Sequence, residues 1–137
     1  LTIGGGIEDL NATAAQTNGS GGEDGVTAYA LYSMGPVSIG YQEFFTNSAN
    51  GAADIDGSGY AIAYTAGDVS VSYAKVNEQT LAVRGTAALE EVEMSAVQAS
   101  YTMGAMTLAA SVYKSDNLEG VAGDDYEETE LSASFGF

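Results

Sequence analysis

Carboxylates are the side chains in this sequence that could do the most chemistry. The 137 residues include 19 Asp and Glu, 3 Lys and Arg, and neither His nor Cys, which gives a net charge of −16. A Ser-His-Asp triad, a Cys nucleophile and a thiolate metal site are therefore excluded. Paired carboxylates could still act in general acid–base catalysis or bind a cation. A surface this acidic also disfavours nucleic acid as a partner.

The spacing of these acids argues against an enzyme. Glu90 and Glu91 are adjacent, as are Glu127 and Glu128, so on a strand the two members of each pair point to opposite faces. Glu128 and Glu130 share a face, but a polar lining explains that pair more simply than an acid–base couple does. We therefore expect no enzyme activity and no cofactor.

Calcium binding is an alternative use of the same residues. Asp54 and Asp56, together with the acids of the segment 116–128, offer the oxygen ligands that Ca²⁺ takes. Their spacing matches no EF-hand loop, and no nonapeptide repeat occurs. A secreted acidic calcium-binding β domain, with Ca²⁺ held weakly at the acidic loops, is therefore kept as an alternative to hydrated loops.

A stretch that occurs three times indicates the elements that carry these acids. Residues 32–39, 64–71 and 101–108 all read Tyr, hydroxyl, apolar, Gly, any residue, apolar, hydroxyl, apolar. A Gly-X pair between alternating runs is typical of a two-residue hairpin turn in which Gly takes a positive φ, as in type II′. Ser33 would then face Ser38 across the first turn. Each hairpin is expected to have one apolar and one hydroxyl-lined surface.

The turns divide the chain into units of strand, long polar loop and returning strand. About eight antiparallel strands result, with tight turns at one end and long loops at the other. The stretch 81–83 could add a short helix or strand to the third long loop. The predicted strands are 1–8, 26–34, 37–46, 59–66, 69–77, 91–103, 106–115 and 125–137.

Alternation along these strands assigns the side chains to two faces. Tyr29, Leu31 and Met94 fall on the polar face and fit the pattern poorly. The candidates for lining a pore are Gln42, Gln98, Ser100, Thr107, Ser111, Glu128, Glu130 and Ser132. The candidates for facing lipid are Val37, Ile39, Tyr41, Tyr60, Ile62, Tyr64, Val69, Val71, Tyr73, Tyr101, Met106, Leu108, Leu131, Phe135 and Phe137.

Either a second sheet or lipid must cover the apolar face. Aromatic residues form two levels, with Tyr64 and Tyr101 near the turns and Tyr41 and Tyr60 towards the loops, like the girdles of an outer-membrane barrel. The separation of long loops from tight turns is typical of the same class. The sequence therefore predicts an all-β, antiparallel, up-and-down transmembrane β-barrel, with a soluble antiparallel meander as the alternative.

The chain resembles the general-diffusion porins of Gram-negative outer membranes. The resemblance rests on the three Tyr-[Ser/Thr]-[Met/Ala]-Gly hairpins and on the last strand, where Leu131, Ala133, Phe135 and Phe137 look like the terminal signature read by the barrel-insertion machinery. It covers essentially the whole chain as the carboxy-terminal part of one barrel domain, with upstream strands missing. It implies a barrel of usually sixteen strands, a homotrimer, extracellular long loops, and periplasmic turns and carboxy terminus.

Passive diffusion of small hydrophilic solutes and ions through a water-filled barrel is the expected function. Polar groups on the lumen wall keep water in the pore, and charge near the mouth selects by sign. Glu128 and Glu130 are the best candidates for acids near the loop-side mouth, and we expect a weak cation preference. Lys75 and Lys114, at the loop-side ends of the apolar face, could reach the interface or pair with lipid phosphates.

A complete eight-stranded barrel with a structural or adhesive role is the other outer-membrane alternative. An even number of strands permits closure, but the interior of such a barrel is filled by side chains. The inward positions here are mostly Gly, Ala, Ser and Thr, so closure would leave unfilled space and unpaired carboxylates. Residues 1–4 also repeat the pattern of 37–40, which follow a turn, so a strand is expected upstream. A larger barrel is therefore favoured.

Overall fold

Eight antiparallel strands in one sheet make up most of the described chain. The computed structural model describes residues 1–10, 23–47, 53–81 and 89–136. Each strand pairs with its neighbours in sequence, which confirms the predicted all-β, up-and-down fold. Among these residues there is no helix with the length and hydrophobicity of a transmembrane span. The strands are β1 (Thr2–Leu10), β2 (Glu23–Met34), β3 (Val37–Asn47), β4 (Ile55–Ala66), β5 (Val69–Thr80), β6 (Val92–Met103), β7 (Met106–Asp116) and β8 (Tyr126–Phe135).

The strands agree with the predicted bounds at the turns and differ at the loops. β4 begins at Ile55 rather than at 59, because pairing with β3 and β5 on both sides holds Asp56 and Gly57 extended despite their low strand propensity. A 3-10 turn at Leu118–Gly120 lies in a stretch predicted to be loop. Leu81 follows β5 outside any element, and the rest of the stretch expected to form a short helix or strand lies outside the described residues.

Tight turns fix the register of the three described hairpins that they close. Gly35, Gly67 and Gly104 have φ values of 58°, 56° and 62°, and the residue after each does not share the positive φ, as a type II′ turn requires. Met34 pairs with Val37 across the first turn, and the flanking residues pair in the same way in the other two hairpins. The predicted hairpin register is therefore confirmed.

Neighbouring hairpins are also joined at their turns. Val37 pairs with Tyr64 rather than with Ala66 at the end of β4, so the second hairpin extends past the first. The same displacement recurs along the sheet and gives it the stagger that a closing barrel requires. In each case a backbone N–H donates to the carbonyl of the second turn residue: Thr65 to Pro36 (2.8 Å), Thr102 to Asp68 (2.9 Å) and Gly136 to Ala105 (2.8 Å).

The described side chains form no hydrophobic core within the sheet. None of the hydrophobic side chains whose exposure the structure describes is buried. The accessible surface of 9368 Å² exceeds the roughly 6,700 Å² expected for a compact monomer of this mass. The soluble alternative, in which a second layer of the same chain covers the apolar face, is therefore wrong for these residues. Something outside the sheet must cover that face.

β1 and β8 are the two edges of the sheet. In the described residues each pairs with one neighbour only, and they do not pair with each other. The alternative of a complete eight-stranded barrel is therefore wrong for this arrangement. A staggered sheet with two unpaired edges fits part of a larger transmembrane barrel, because closure is how such barrels remove exposed edges.

Candidate functional site

One face of the sheet, which we term the apolar face, carries apolar side chains along the middle of the strands. On β7 its run from Met106 to Val112 covers about 20 Å along the strand. The register brings together on it all the described residues predicted to face lipid, and their contact with lipid stays a prediction. They are Val37, Ile39, Tyr41, Tyr60, Ile62, Tyr64, Val69, Val71, Tyr73, Tyr101, Met106, Leu108, Leu131 and Phe135, whereas Phe137 lies outside the described residues.

Ion pairs lie at the loop-side end of the apolar face. Lys75 Nζ lies 2.8 Å from Glu93 Oε2, and Lys114 Nζ lies 2.7 Å from Glu127 Oε2. Each lysine, expected to reach the interface or to pair with lipid phosphates, is thus paired in this structure with a carboxylate of the next strand. The apolar band gives way at this level to paired charges, which fits a boundary between an apolar and an aqueous medium.

The opposite face, which we term the polar face, carries all the residues predicted to line a pore. Gln98 lies opposite Ser111, and Ser111 lies opposite Glu130. With their neighbours they border a shallow groove of about 280 Å³. Their role in lining a lumen stays a prediction. The residues brought together on this face are Gln42, Gln98, Ser100, Thr107, Ser111, Glu128, Glu130 and Ser132.

Hydroxyl pairs occupy the turn-side end of the polar face. One pair flanks each of the described tight turns, as the hairpin pattern predicts, and each hydroxyl keeps capacity to bond water. The turn-side end is therefore lined by small polar side chains. The pairs and their oxygen–oxygen distances are Ser33–Ser38 (2.9 Å), Thr65–Ser70 (3.0 Å) and Thr102–Thr107 (3.1 Å).

Larger apolar side chains lie farther from the turns than these hydroxyl pairs, on the same face. Tyr29, Leu31 and Met94, which fit the sequence pattern poorly, lie there with Phe44 and Val76. Phe44 and Val76 were not singled out from the sequence. The residue paired with Tyr29, Leu31, Phe44 and Val76 is in each case a glycine. The turn register gives this partner for Leu31 and Val76, whereas the partners of Tyr29 and Phe44 lie across long loops, where no turn signal gives the register.

The two predicted lumen acids lie on the same face of β8. Tyr126 Oη donates to Glu128 Oε2 over 2.9 Å, and Glu130 is paired with Ser111 on β7. Both carboxylates are exposed, so they add negative charge to the polar face rather than form an enclosed acid–base site. The arrangement supplies an electrostatic field and no catalytic constellation.

Asn117 organises the loop between β7 and β8. Its Nδ2 donates to the carbonyl oxygen of Glu91 (3.0 Å), and its Oδ1 accepts from the N–H of Gly123 (3.0 Å). Its own N–H donates to Asp125 Oδ1 (3.2 Å), so this acid braces the loop. Among the described residues, no group of three or more acids is placed to hold a metal ion. The calcium alternative therefore gains no support from this loop or from the pair Asp54 and Asp56.

Comparison with known proteins agrees with a two-faced membrane sheet. The family model described as Gram-negative porin matches residues 2–137, which include every strand of the described sheet. No curated protein and no solved structure matches the chain. Porins are outer-membrane channels rather than enzymes, which is consistent with the exposed carboxylates of the polar face. The chain belongs to the Gram-negative porin family.

Proposed function

We propose that this chain forms part of the wall of a water-filled channel through which small hydrophilic solutes and ions diffuse passively across the outer membrane. The two-faced sheet carries the proposal. One face is apolar and the other is rich in hydroxyls. None of the hydrophobic side chains whose exposure the structure describes is buried under a second layer. Lipid on the apolar face and water on the polar face satisfy both sets of side chains.

Solute passage along this wall requires no covalent chemistry. The hydroxyls of Ser100, Ser111 and Ser132 can donate to and accept from water or a solute. A hydrated solute can therefore exchange water contacts for wall contacts with little loss of hydrogen bonding. The groove that these residues border is shallow and open, so it offers no enclosed site that would retain a solute.

The charge of the polar face favours cations. Glu128 and Glu130 lie on this face, whereas Lys75 and Lys114 both lie on the apolar face and are paired with carboxylates. Acidic groups at a water-filled mouth raise the local concentration of cations and lower that of anions. We propose a weak cation preference, because exposed charges are screened by salt.

Assembly into a larger barrel follows from the unpaired edges. β1 and β8 need strand partners in a membrane, since unsatisfied backbone groups are costly in lipid. We propose that residues 1–137 are the carboxy-terminal part of a single porin barrel, usually sixteen-stranded and homotrimeric in this family. Its long loops would be extracellular and its turns periplasmic. The insertion machinery would bind the last strand with Phe137, which lies outside the described residues.

Single-channel recording of the full-length porin in a planar lipid bilayer tests the function. We expect stepwise conductance, and in a salt gradient a reversal potential that indicates a permeability ratio of K⁺ to Cl⁻ above one. That ratio should fall towards one as the salt concentration rises. Heat-unfolded protein is the control and should give no steps. A folded, inserted protein that stays electrically silent would overturn the channel proposal, and anion preference at low salt would overturn the cation preference.

A further inference from the structure

Four of the large apolar side chains on the polar face of the described sheet have a common feature. Each is paired directly with a glycine on a neighbouring strand, where no other side chain occupies the space. The proposed diffusion of hydrophilic solutes makes no use of these apolar groups, so their presence on this face needs a separate explanation. The pairs are Tyr29–Gly4, Leu31–Gly40, Phe44–Gly57 and Val76–Gly59.

The two aromatic rings lie flat on their glycines. A Cβ atom at Gly4 would lie 2.5 Å from both Cζ and Oη of Tyr29, and a Cβ atom at Gly57 would overlap the ring of Phe44. Gly57 is buried even though it lies on an open face of the sheet. Side chains do not approach this closely, so only glycine permits each ring to rest against the backbone.

The two aliphatic pairs are less close. A Cβ atom at Gly59 would lie 3.2 Å from Val76 Cγ2, and one at Gly40 would lie 3.6 Å from Leu31 Cδ1. Small movements of the branched side chains could accommodate an alanine at either position. The requirement for glycine is therefore strict only beneath the two rings.

The position of the Tyr29 and Phe44 rings affects how much of the proposed lumen they occupy. Side chains on a strand stand roughly perpendicular to the sheet, and from the polar face that direction points into the proposed channel. A ring that rests on the neighbouring backbone instead covers peptide groups that a glycine leaves open. The glycines thus allow Tyr29 and Phe44 to stabilise the wall without occupying the lumen.

We infer that Gly4 and Gly57 are positioning residues that hold Tyr29 and Phe44 against the wall and so keep the channel open beside them. The inference rests on the proposed channel function. An alanine at either position raises the ring from the backbone and turns it towards the lumen. Solutes close to the size limit are the most affected, because they need the whole cross-section, whereas small ions lose only the area that the ring covers.

The test replaces the glycine beneath Phe44 in the full-length porin. Gly57→Ala is expected to lower single-channel conductance by on the order of a tenth or more, and to slow the uptake of large hydrophilic solutes by a larger factor. The matched control is Gly6→Ala. Gly6 lies on the same face, in the cross-strand row that contains Thr27, Phe44 and Gly57, and its added Cβ would meet only Thr27 Cγ2 at 3.8 Å. The control should conduct like the wild type.

Removing the ring separates a change of width from general damage. The double variant Gly57→Ala with Phe44→Ala should regain at least wild-type conductance, because no ring remains to be raised. A distorted barrel would not recover in this way. Folded Gly57→Ala channels with wild-type conductance, or a double variant that conducts as poorly as Gly57→Ala, would overturn the inference.

If Gly57→Ala does not fold, the single variant Phe44→Ala tests whether the ring is held against the wall. A ring that lies flat takes little of the lumen, so its removal should leave conductance within roughly a tenth of the wild-type value. A large rise would show that the ring already projects into the channel, and would overturn the inference. A silent wild-type protein would instead overturn the proposed function, so the two failures are distinguishable.

Discussion

The apolar face and the polar face of this sheet share every strand and every turn, yet their side chains vary to different degrees. Between the two aromatic levels the apolar face carries mostly large apolar side chains, as in the row that joins Ile39, Ile62 and Tyr73. The polar face ranges from the hydroxyls of Ser33 and Ser38 to the ring of Phe44. The difference agrees with the proposed media, which are lipid on the apolar face and water on the polar face. Lipid offers no hydrogen bonds, so it tolerates few polar groups, whereas water accepts them.

The polar face itself is divided along the strands. Its turn-side end consists of small hydroxyl side chains that bond one another in pairs. Its loop-side part combines acids with large apolar groups, among them Tyr29 and Phe44, that rest on glycines. In both parts the side chains project little from the polar face. At the turn-side end they are small, and in the loop-side part the large ones rest on the neighbouring backbone. In the proposed channel, how far a side chain projects therefore matters more than its polarity.

The largest expected difference between the two faces is in the stability lost when a charge is placed on one or the other. Ile62→Arg puts a guanidinium between the aromatic levels of the apolar face and should lower the free energy of unfolding by about 2–4 kcal/mol. Ala63→Arg, the adjacent residue on the polar face, should cost well under half of that, because its charge meets water. Equilibrium urea unfolding of the full-length protein in lipid vesicles measures both. An equal loss at the two positions would show that the faces do not meet different media.

The turn glycines maintain the difference between the apolar face and the polar face, because they fix the register of the strands. A slip of one residue would exchange the two faces of a strand, so the turns determine which side chains meet which medium. Gly104 has a φ of 62°, and an added Cβ would meet no atom within 4 Å, so Gly104→Ala carries only the backbone cost of about 1–2 kcal/mol.

The control for this turn is Gly136→Ala. Gly136 has no positive φ, and its added Cβ would meet only the carbonyl oxygen of Ala105, at 3.9 Å. The free energy of unfolding of the Gly136→Ala protein should differ from that of the wild type by less than about 0.5 kcal/mol. If Gly104→Ala were as stable as Gly136→Ala in the same vesicle assay, the positive φ would not be what holds the turn.

The sequence was most informative where a local signal also determines a long-range contact. The Gly-X turn determines which residues pair across a hairpin, so Ser33 could be paired with Ser38 and the two faces separated without coordinates. At the loop ends no such signal exists. Asp56 and Gly57 are poor strand formers that become strand because β3 and β5 pair with them on both sides.

The glycine–aromatic pairs could not be predicted for the same reason. Tyr29 breaks the alternation of its own strand, so the sequence alone marks it as a misfit. Its explanation lies on Gly4 of another strand, across the long first loop, where no turn signal gives the register. The ion pair of Lys75 with Glu93 likewise depends on the register of β5 against β6, which no turn signal gives. Alternation assigns a side chain to a face, whereas its partner on that face depends on the stagger.

Neutralising an acid on each face of β8 gives a smaller expected effect. Glu130→Gln removes charge from the polar face and should lower the permeability ratio of K⁺ to Cl⁻ roughly twofold at 0.1 M salt, which corresponds to about 0.4 kcal/mol. Glu127→Gln changes the apolar face, where this acid pairs with Lys114, and should leave selectivity unchanged. Reversal potentials in a salt gradient compare the variants. Repeating them at 1 M salt should remove the difference, because the Debye length is then about 3 Å. Altered selectivity in Glu127→Gln alone would reverse the assignment of the faces.

The smallest expected effect is the coupling energy of a hydroxyl pair at the turn-side end of the polar face, which depends on whether water reaches that end. The Ser33 and Ser38 hydroxyls lie 2.9 Å apart, and in contact with water their bond only replaces bonds to solvent. A double-mutant cycle with Ser33→Ala and Ser38→Ala should therefore give a coupling of about 0.2–0.5 kcal/mol in unfolding free energy. The cycle of Ser33→Ala with Thr107→Ala, in another hairpin, is the control and should be additive within error. A Ser33–Ser38 coupling well above 1 kcal/mol would mean that water is excluded from this end of the face, because only a dry environment makes a neutral hydroxyl pair that strong.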